Sequence, residues 1–288
     1  MKDHIFNKIH ILQNKKENDY QRLSDKINEK FFKLPKGYFK ESICLDAACG
    51  ANGFVPLKLL QLGANYVDCF DYNPHHKKNL RKVLNSYKNN YKFYRQNISI
   101  ADNFFYEKYD FVHCSGAIHH DKKYKTIIRN LSKYVKKNGF IYISSYGKGG
   151  LIRDITNLLR KEVKRNKNLR TYIERMNFKD FKNFIISTSK IYEVNPKKYK
   201  TEFDIFFNED LLLSLKDRLL AENYLEIGYD EIKSILKKNS FTNFHNLSFY
   251  PKFNNFRKFL SPFYFYKNYS LSKILYGEGL PQIIAQKK

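Results

Sequence analysis

Two acidic residues close short apolar runs in the first third of the chain, and a turn follows each. The first stretch reads Ile43-Cys44-Leu45-Asp46-Ala47-Ala48-Cys49-Gly50-Ala51-Asn52-Gly53-Phe54. The second ends in Cys69-Phe70-Asp71-Tyr72-Asn73. Small residues after Asp46 let the backbone approach a ligand closely. The helix beginning near Phe54 offers unpaired N–H groups in its first turn. A carboxylate at Asp71 can accept hydrogen bonds from ribose hydroxyls, a charge-assisted contact worth ~1.5–3 kcal/mol. Either acid alone would do no more than cap a loop. Together, at the ends of the first two strands, they point to an adenosine-type ligand.

Two further turns carry chemistry. Ser115-Gly116-Ala117-Ile118-His119-His120 places two imidazoles after an apolar run. An unperturbed histidine titrates near ~6.5, so His119 can serve as a general base or pack beneath a ligand. His75 and His76 form another pair, at the opening of a helix after Pro74. The loop Ser145-Tyr146-Gly147-Lys148-Gly149-Gly150-Leu151-Ile152-Arg153 is either a glycine hinge or a substrate contact. In the second case Tyr146 would stack on or hydrogen-bond the acceptor, and Arg153 would pair with an anionic group. Arg170, Arg175 and Asp204 lie in or just after the helices that follow and could line a lid. Cys44, Cys49, Cys69 and Cys114 show no paired spacing. They read as small buried hydrophobes in a reducing compartment, and no metal site is expected.

The elements that must position these residues alternate. Strand-length runs at Ile43–Leu45, Tyr66–Phe70, Tyr91–Tyr94, Phe111–Cys114 and Phe140–Ser144 are separated by helical stretches at Phe54–Leu62, Lys77–Lys88 and Tyr124–Lys137. The last helix is expected to end at Lys137-Asn138-Gly139, with a basic last turn and a glycine C-cap. This alternation implies βαβ units and a parallel sheet whose ligands bind at the strands' carboxyl ends. The pattern stops near Gly150. Residues 151–226 read as helix, with Ile152, Ile155, Leu158 and Leu159 on one face, and Lys190–Lys200 as a loop. A helix at Tyr229–Lys238 and strands at Phe244–Phe249 and Leu280–Ala285 then resume the α/β pattern. The expected parts are a helical cap over 1–40, a core over 41–150, a helical insertion over 151–226 and the rest of the core over 227–288.

Composition bounds the rest. The chain has 288 residues, 42% hydrophobic and 17% aromatic, enough to form a core and too much for a disordered chain. No apolar run approaches the ~18–20 residues of a membrane span. The first residues lack the apolar segment of a secretion signal, so a cytoplasmic protein is expected. Lys plus Arg is 53 and Asp plus Glu is 28, a formal charge of +25. Most of that basicity is lysine, alongside abundant Asn, Ile, Tyr and Phe. AT-rich codons produce such a composition without any functional demand. A phosphate-reading surface would draw more on arginine, whose fork matches phosphate oxygens.

At this point the sequence resembles a known family, the class I S-adenosylmethionine-dependent methyltransferases. The resemblance covers 42–147 well and 229–286 loosely. It rests on Leu45-Asp46-Ala47-Ala48-Cys49-Gly50, on Asp71, on Gln96-Asn97-Ile98, and on the run from Tyr109 to His120, which is similar to the family's G-x-L-H-H turn. Lys137-Asn138-Gly139-Phe140 and Ser240-Phe241 resemble the openings of the fifth and sixth strands. The chain departs from the pattern at Ala48 and Asn52, where the family often has glycine, and at Asn97, where it usually has an acid. A nicotinamide enzyme would need G-x-G-x-x-G, which the chain lacks. The implied fold is a Rossmann-like, doubly wound, mostly parallel seven-stranded sheet with an N-terminal helical cap and a helical insertion after strand five.

The resemblance implies S-adenosylmethionine as cofactor. Asp46, Ala48 and Gly50 would surround its methionine part, with Asp71 on the ribose and Tyr72 or Asn73 beside it. Asn97 and Ile98 would meet the adenine, and Ser115 would stand near the cofactor. The expected activity is methyl transfer to an oxygen or nitrogen of a small-molecule acceptor, with His119 and Tyr146 as catalytic candidates. Two alternatives stay open. An RNA methyltransferase, acting on tRNA, would use the lysines on phosphates. A membrane contact through the aromatic and basic run Phe256–Lys267 would suit a lipid or quinone. A chain that keeps the fold without the activity is disfavoured by Asp46, Gly50 and Asp71.

Overall fold

The structure is a computed structural model, and it describes residues 27–191, 193, 195, 197–198, 209–247 and 277–288. The expected cap before residue 27, the candidate membrane run at Phe256–Lys267 and Asp204 lie outside the described residues. Contacts divide the chain into two compact units. Among the described residues, 27–147, 223–247 and 279–288 form one, and 148–222 with 277–278 belong to the other.

The first unit is built on a seven-stranded sheet. Its strands are β1 (Ile43–Ala47), β2 (Tyr66–Asp71), β3 (Tyr91–Arg95), β4 (Tyr109–Ser115), β5 (Val135–Ser144), β6 (Phe241–Asn246) and β7 (Gln282–Lys287). The order across the sheet is β3-β2-β1-β4-β5-β7-β6. The first five strands pair in parallel, and β7 runs antiparallel to β5 and β6. The crossovers contain α2 (Phe54–Gln61), α3 (His76–Val83) and α4 (Tyr124–Tyr134). A short α1 (Glu29–Phe32) precedes the sheet and α9 (Tyr229–Lys237) precedes β6.

Strand periodicity sends alternate side chains into two cores. Leu45, Val112, Ile141 and Ile283 meet Ile127 and Leu131 of α4 and Ile232 and Leu236 of α9. Cys44, Val67, Phe111 and Ile284 meet Phe32, Phe39, and Leu59 of α2. All four cysteines are buried free thiols. Burial pushes Cys44 and Cys114 up to about 12, which suits a packing role.

The second unit is helical among its described residues. It contains α5 (Leu151–Arg165), α6 (Lys167–Arg175), α7 (Phe178–Ile191) and α8 (Glu209–Leu220). Val163, Ile173, Leu219 and Leu220 form one small core, and Met176, Phe181 and Leu212 another.

Several expected boundaries differ. The helix expected over Lys77–Lys88 ends at Val83 and is followed by a short 3-10 turn at Asn85–Tyr87. The helix expected over Tyr124–Lys137 ends at Tyr134. Tyr109 pairs with Val135 but Phe111 pairs with Phe140, so residues 136–139 are looped out of the ladder. The left-handed residue there is Asn138 (φ 66°), not Gly139. The sixth strand starts at Phe241, where the resemblance of Ser240-Phe241 puts its opening, rather than at Phe244, where the apolar run begins. Ser240 turns the chain at φ 66°, and a register shift near Asn243 (φ 50°) breaks the alternation that the sequence displays. The last strand starts at Gln282 rather than Leu280, where pairing with Ser144 begins.

Gly139 is required for space. A Cβ there would lie 2.8 Å from the Asp110 carbonyl oxygen and 2.9 Å from a Val135 methyl. Gly139→Ala is therefore expected to lower the unfolding free energy by ~1–3 kcal/mol in urea denaturation. Stability equal to wild type would show that the loop yields without cost.

Candidate functional site

The carboxyl ends of β1 to β5 lie along one edge of the first unit, and the candidate residues sit in the turns that leave it. After β1 the backbone enters the left-handed region at Ala48 (φ 61°), Gly50 (φ 63°) and Gly53 (φ 66°). That winding brings the Cys49 N–H to the Phe70 carbonyl at 2.9 Å. It also lets the Gly50 N–H donate to Asp71 Oδ2 at 3.0 Å. Asp71 is nearly buried, and its Oδ1 accepts from the Asn73 N–H at 2.9 Å. His76, at the start of α3, places Nδ1 3.3 Å from Asp71 Oδ2. Asn73 Oδ1 accepts from the His75 N–H, so its amide nitrogen faces His76 Nε2 at 3.1 Å. Burial alone would raise the Asp71 pKa. The His76 hydrogen bond and charge, with the N–H groups of Asn73 and Gly50, outweigh it and hold the carboxyl below its usual value.

Asp46 lies one residue inside the edge and is buried. Its Oδ1 accepts from His113 Nδ1 at 2.8 Å across the β1–β4 pairing. The His113 ring stacks on Tyr142 at 5.0 Å, and the Tyr142 hydroxyl donates to Gln282 Oε1 at 2.8 Å. Two residues further along the same face, the exposed Ser115 shares a 2.7 Å hydrogen bond with Ser144. The Gly116 N–H donates to Ser144 Oγ at 3.3 Å. Gly116 is left-handed at φ 72° and faces open space, with no atom within 4 Å of where a Cβ would sit.

Tyr72 is 55% exposed beside Asp71. Asn97 is exposed after β3, and its Oδ1 accepts from the Ser99 N–H at 3.0 Å. Ile98 packs its side chain on the core, while its carbonyl accepts from Asn130 Nδ2 at 3.2 Å.

The turn after β4 meets the one after β5. His119 is buried, 3.9 Å from the Tyr146 ring and 4.1 Å from the His120 ring. Tyr224 lies 5.2 Å from Tyr146. The Leu225 N–H donates to the His119 carbonyl at 2.8 Å, and the Ile227 N–H to the Tyr146 carbonyl at 2.7 Å. Residues 224–227 thus brace both turns.

The structure brings Asp46, Ala48, Gly50, Asp71, Tyr72, Asn73, Asn97, Ile98, Ser115, His119 and Tyr146 to one edge of one unit. Arg153 stands in the first turn of α5, in the helical unit. Arg170 pairs with Glu174 at 2.9 Å along α6, and Arg175 is exposed at that helix's end. Sequence reasoning did not single out His76, His113 or Ser144 for these roles. His76 was visible as part of a pair. His113 carries no local signal, because its partner lies 67 residues away. Among the described residues, no group of three or more His, Cys, Asp or Glu could hold a metal ion. None of the described helices is long and apolar enough to cross a membrane.

Residues 45–141 match a family model described as a methyltransferase domain. The fold is similar to that of PKMT2 from Rickettsia typhi, with a TM-score of 0.55 and 13% identity over 90% of this chain and 53% of that one. An O-methyltransferase family protein from Burkholderia thailandensis matches with a TM-score of 0.49 and 12% identity, over 93% of this chain and 57% of that one. An S-adenosylmethionine dependent methyltransferase from Mesorhizobium loti matches with a TM-score of 0.49 and 12% identity, over 88% and 94%. The chain thus spans little more than half the length of the first two. A search of curated proteins finds no match.

The lowered pKa of Asp71 has a consequence for stability. Its contribution is complete above the ordinary aspartate value near ~3.9 and is lost as pH falls through the lower folded value. The stability advantage of wild type over Asp71→Asn is expected to shrink as pH falls from about 6 to about 3. Urea midpoints across that range check this. A difference independent of pH would contradict it.

Proposed function

We propose, from the match of residues 45–141 to a methyltransferase-domain family model, that the protein is an S-adenosylmethionine-dependent methyltransferase acting on an oxygen or nitrogen of a small-molecule acceptor. The observation that carries this reading is the buried Asp71 carboxylate, tied to the Gly50 amide across the β1 and β2 turns.

The residues at this edge suit such a cofactor. Asp71 Oδ1 uses one lone pair on Asn73 and keeps another for a ribose hydroxyl. The left-handed backbone at Ala48 and Gly50 permits close approach of the methionine part. Asp46 supplies negative charge beneath it, oriented by His113. Tyr72 and Asn73 flank the ribose, Asn97 and Ile98 the adenine, and Ser115 the open space beside Gly116. When bound, the cofactor supplies a methyl group activated by its sulfonium.

The protein's own work is then mostly placement. Holding acceptor and donor in line is worth ~7–11 kcal/mol of the barrier. His119 and Tyr146, with rings in contact, are the candidates for holding or removing the acceptor's proton. Their bracing by Leu225 and Ile227 fixes both turns.

The test is incubation with S-adenosylmethionine and separate acceptor panels, reading S-adenosylhomocysteine by mass spectrometry. Small acids and phenols come first, then bulk tRNA, then quinones in detergent. Product with a small acceptor is the expected outcome, and product with tRNA or a quinone alone would replace the acceptor class. If His119 is the base, His119→Asn lowers kcat by roughly 100- to 10,000-fold. An unchanged kcat would leave His119 a packing role.

A further inference from the structure

Helix α3 carries charge that does not serve the helix. Its outer face is Lys77, Lys78, Arg81 and Lys82, all exposed. Lys77 and Lys78 sit in the first turn, where the helix dipole disfavours cations and no acid offsets them. Lys77 with Arg81, and Lys78 with Lys82, are like charges one turn apart, a second cost. The chain holds no Asp or Glu from Tyr72 to Ala101. Arg81 is close enough to Tyr91 of β3 to act on its hydroxyl, whose pKa burial raises and the Arg81 charge lowers. The cationic face therefore continues onto the edge strand of the sheet, where Lys92 and Arg95 are exposed.

No ion pair among the described residues reaches any of these cations. Residues 122–137 are also basic and free of acids, but the fold answers their charge. Lys125 faces Glu231 at 3.8 Å, Lys136 pairs with Asp110 at 2.9 Å, and Lys133 lies over the Tyr106 ring. A codon bias supplies lysine along the whole chain. It does not explain a helix face whose cations oppose the dipole and meet no carboxylate.

The chemistry of the face selects its partner. Leu80 and Leu84 are buried in the core beneath α3, so the face offers no aliphatic side chain to an acyl boundary. It also lacks the apolar centre of a protein–protein interface. A second copy would bring the same charge. What remains is electrostatic contact, which is enough to bind a nucleic-acid backbone. α3 lies packed on the sheet rather than projecting from it, so it cannot enter the groove of a duplex. A single strand can follow the face, and RNA is the nucleic acid that proteins ordinarily meet unpaired.

We propose that the outer face of α3, continued by Lys92 and Arg95 of β3, binds single-stranded RNA through its phosphates. This surface is independent of the methyltransferase reading and of the acceptor.

The test is fluorescence anisotropy of the full chain with labelled oligouridylate. Oligothymidylate, and co-sedimentation with vesicles containing phosphatidylglycerol, are the comparisons. One variant combines Lys77→Gln, Lys78→Gln, Arg81→Gln and Lys82→Gln, since glutamine favours helix. A control combines Lys161→Gln, Lys164→Gln, Arg165→Gln and Lys167→Gln, exposed cations of the helical unit, and removes the same charge. Unchanged circular dichroism verifies that both fold. Wild type is expected to bind oligouridylate and to be released by salt. The α3 variant should bind at least about tenfold more weakly and with a shallower salt dependence, and the control within about twofold of wild type. Absence of wild-type binding overturns the proposal, as does equal weakening in the two variants. Tighter binding to oligothymidylate, or vesicle binding without RNA binding, reassigns the face to DNA or to lipid headgroups.

Discussion

Beside the Cys49 N–H bond to the Phe70 carbonyl, the candidate site depends on one contact between its first two turns: the Gly50 N–H donating to Asp71 Oδ2. It forms only because the chain winds through the left-handed region at Ala48 and Gly50. It fixes the distance between the turn that would take an amino-acid moiety and the acid that would take a ribose. His76 and the Asn73 N–H hold the same carboxylate from its other sides. The carboxylate is therefore ionised and oriented before any ligand arrives. A preorganised acceptor of this kind avoids much of the ordering cost that binding otherwise carries.

The second polar layer lies beneath the first. Asp46 and His113 are buried partners on the two central strands, and the stack of His113 on Tyr142 extends the layer toward β7. Buried charge is costly unless paired, and here the pairing is direct. Removing either partner alone would strand the other in a dry sheet. The layer therefore ties the β1 turn to the β4 turn, as the Gly50 bond ties β1 to β2. Residues 224–227 do the same for the turns carrying His119 and Tyr146. Each of these ties crosses between parallel strands at their carboxyl ends, where the topology leaves open polar positions.

Much of this was legible from residue pattern alone. The central strands β1, β2 and β4 were readable because buried parallel strands give continuous apolar runs, the half-exposed edge strand β3 by its aromatic residues, and Asp46 and Asp71 stood out at the ends of β1 and β2. The end of α4 was not, because the looped-out residues 136–139 use Asn138 rather than Gly139 for the left-handed turn. The last two strands were misplaced by two or three residues, since a register shift near Asn243 hides the alternation. His113 and Ser144 could not be tied to Asp46 and Ser115, because long-range strand pairing leaves no local signature. Helical spacing showed that Ile155, Leu158 and Leu159 share a face. It could not show that the face is open to solvent, since periodicity reports which side chains lie together and not what they meet.

The most direct measurement is calorimetric titration of the full chain with S-adenosylhomocysteine, with Asp71→Ala beside wild type. The account predicts micromolar binding that the variant weakens roughly tenfold, the equivalent of ~1.4 kcal/mol. No binding to a demonstrably folded wild type, or equal affinity in the two proteins, would contradict it.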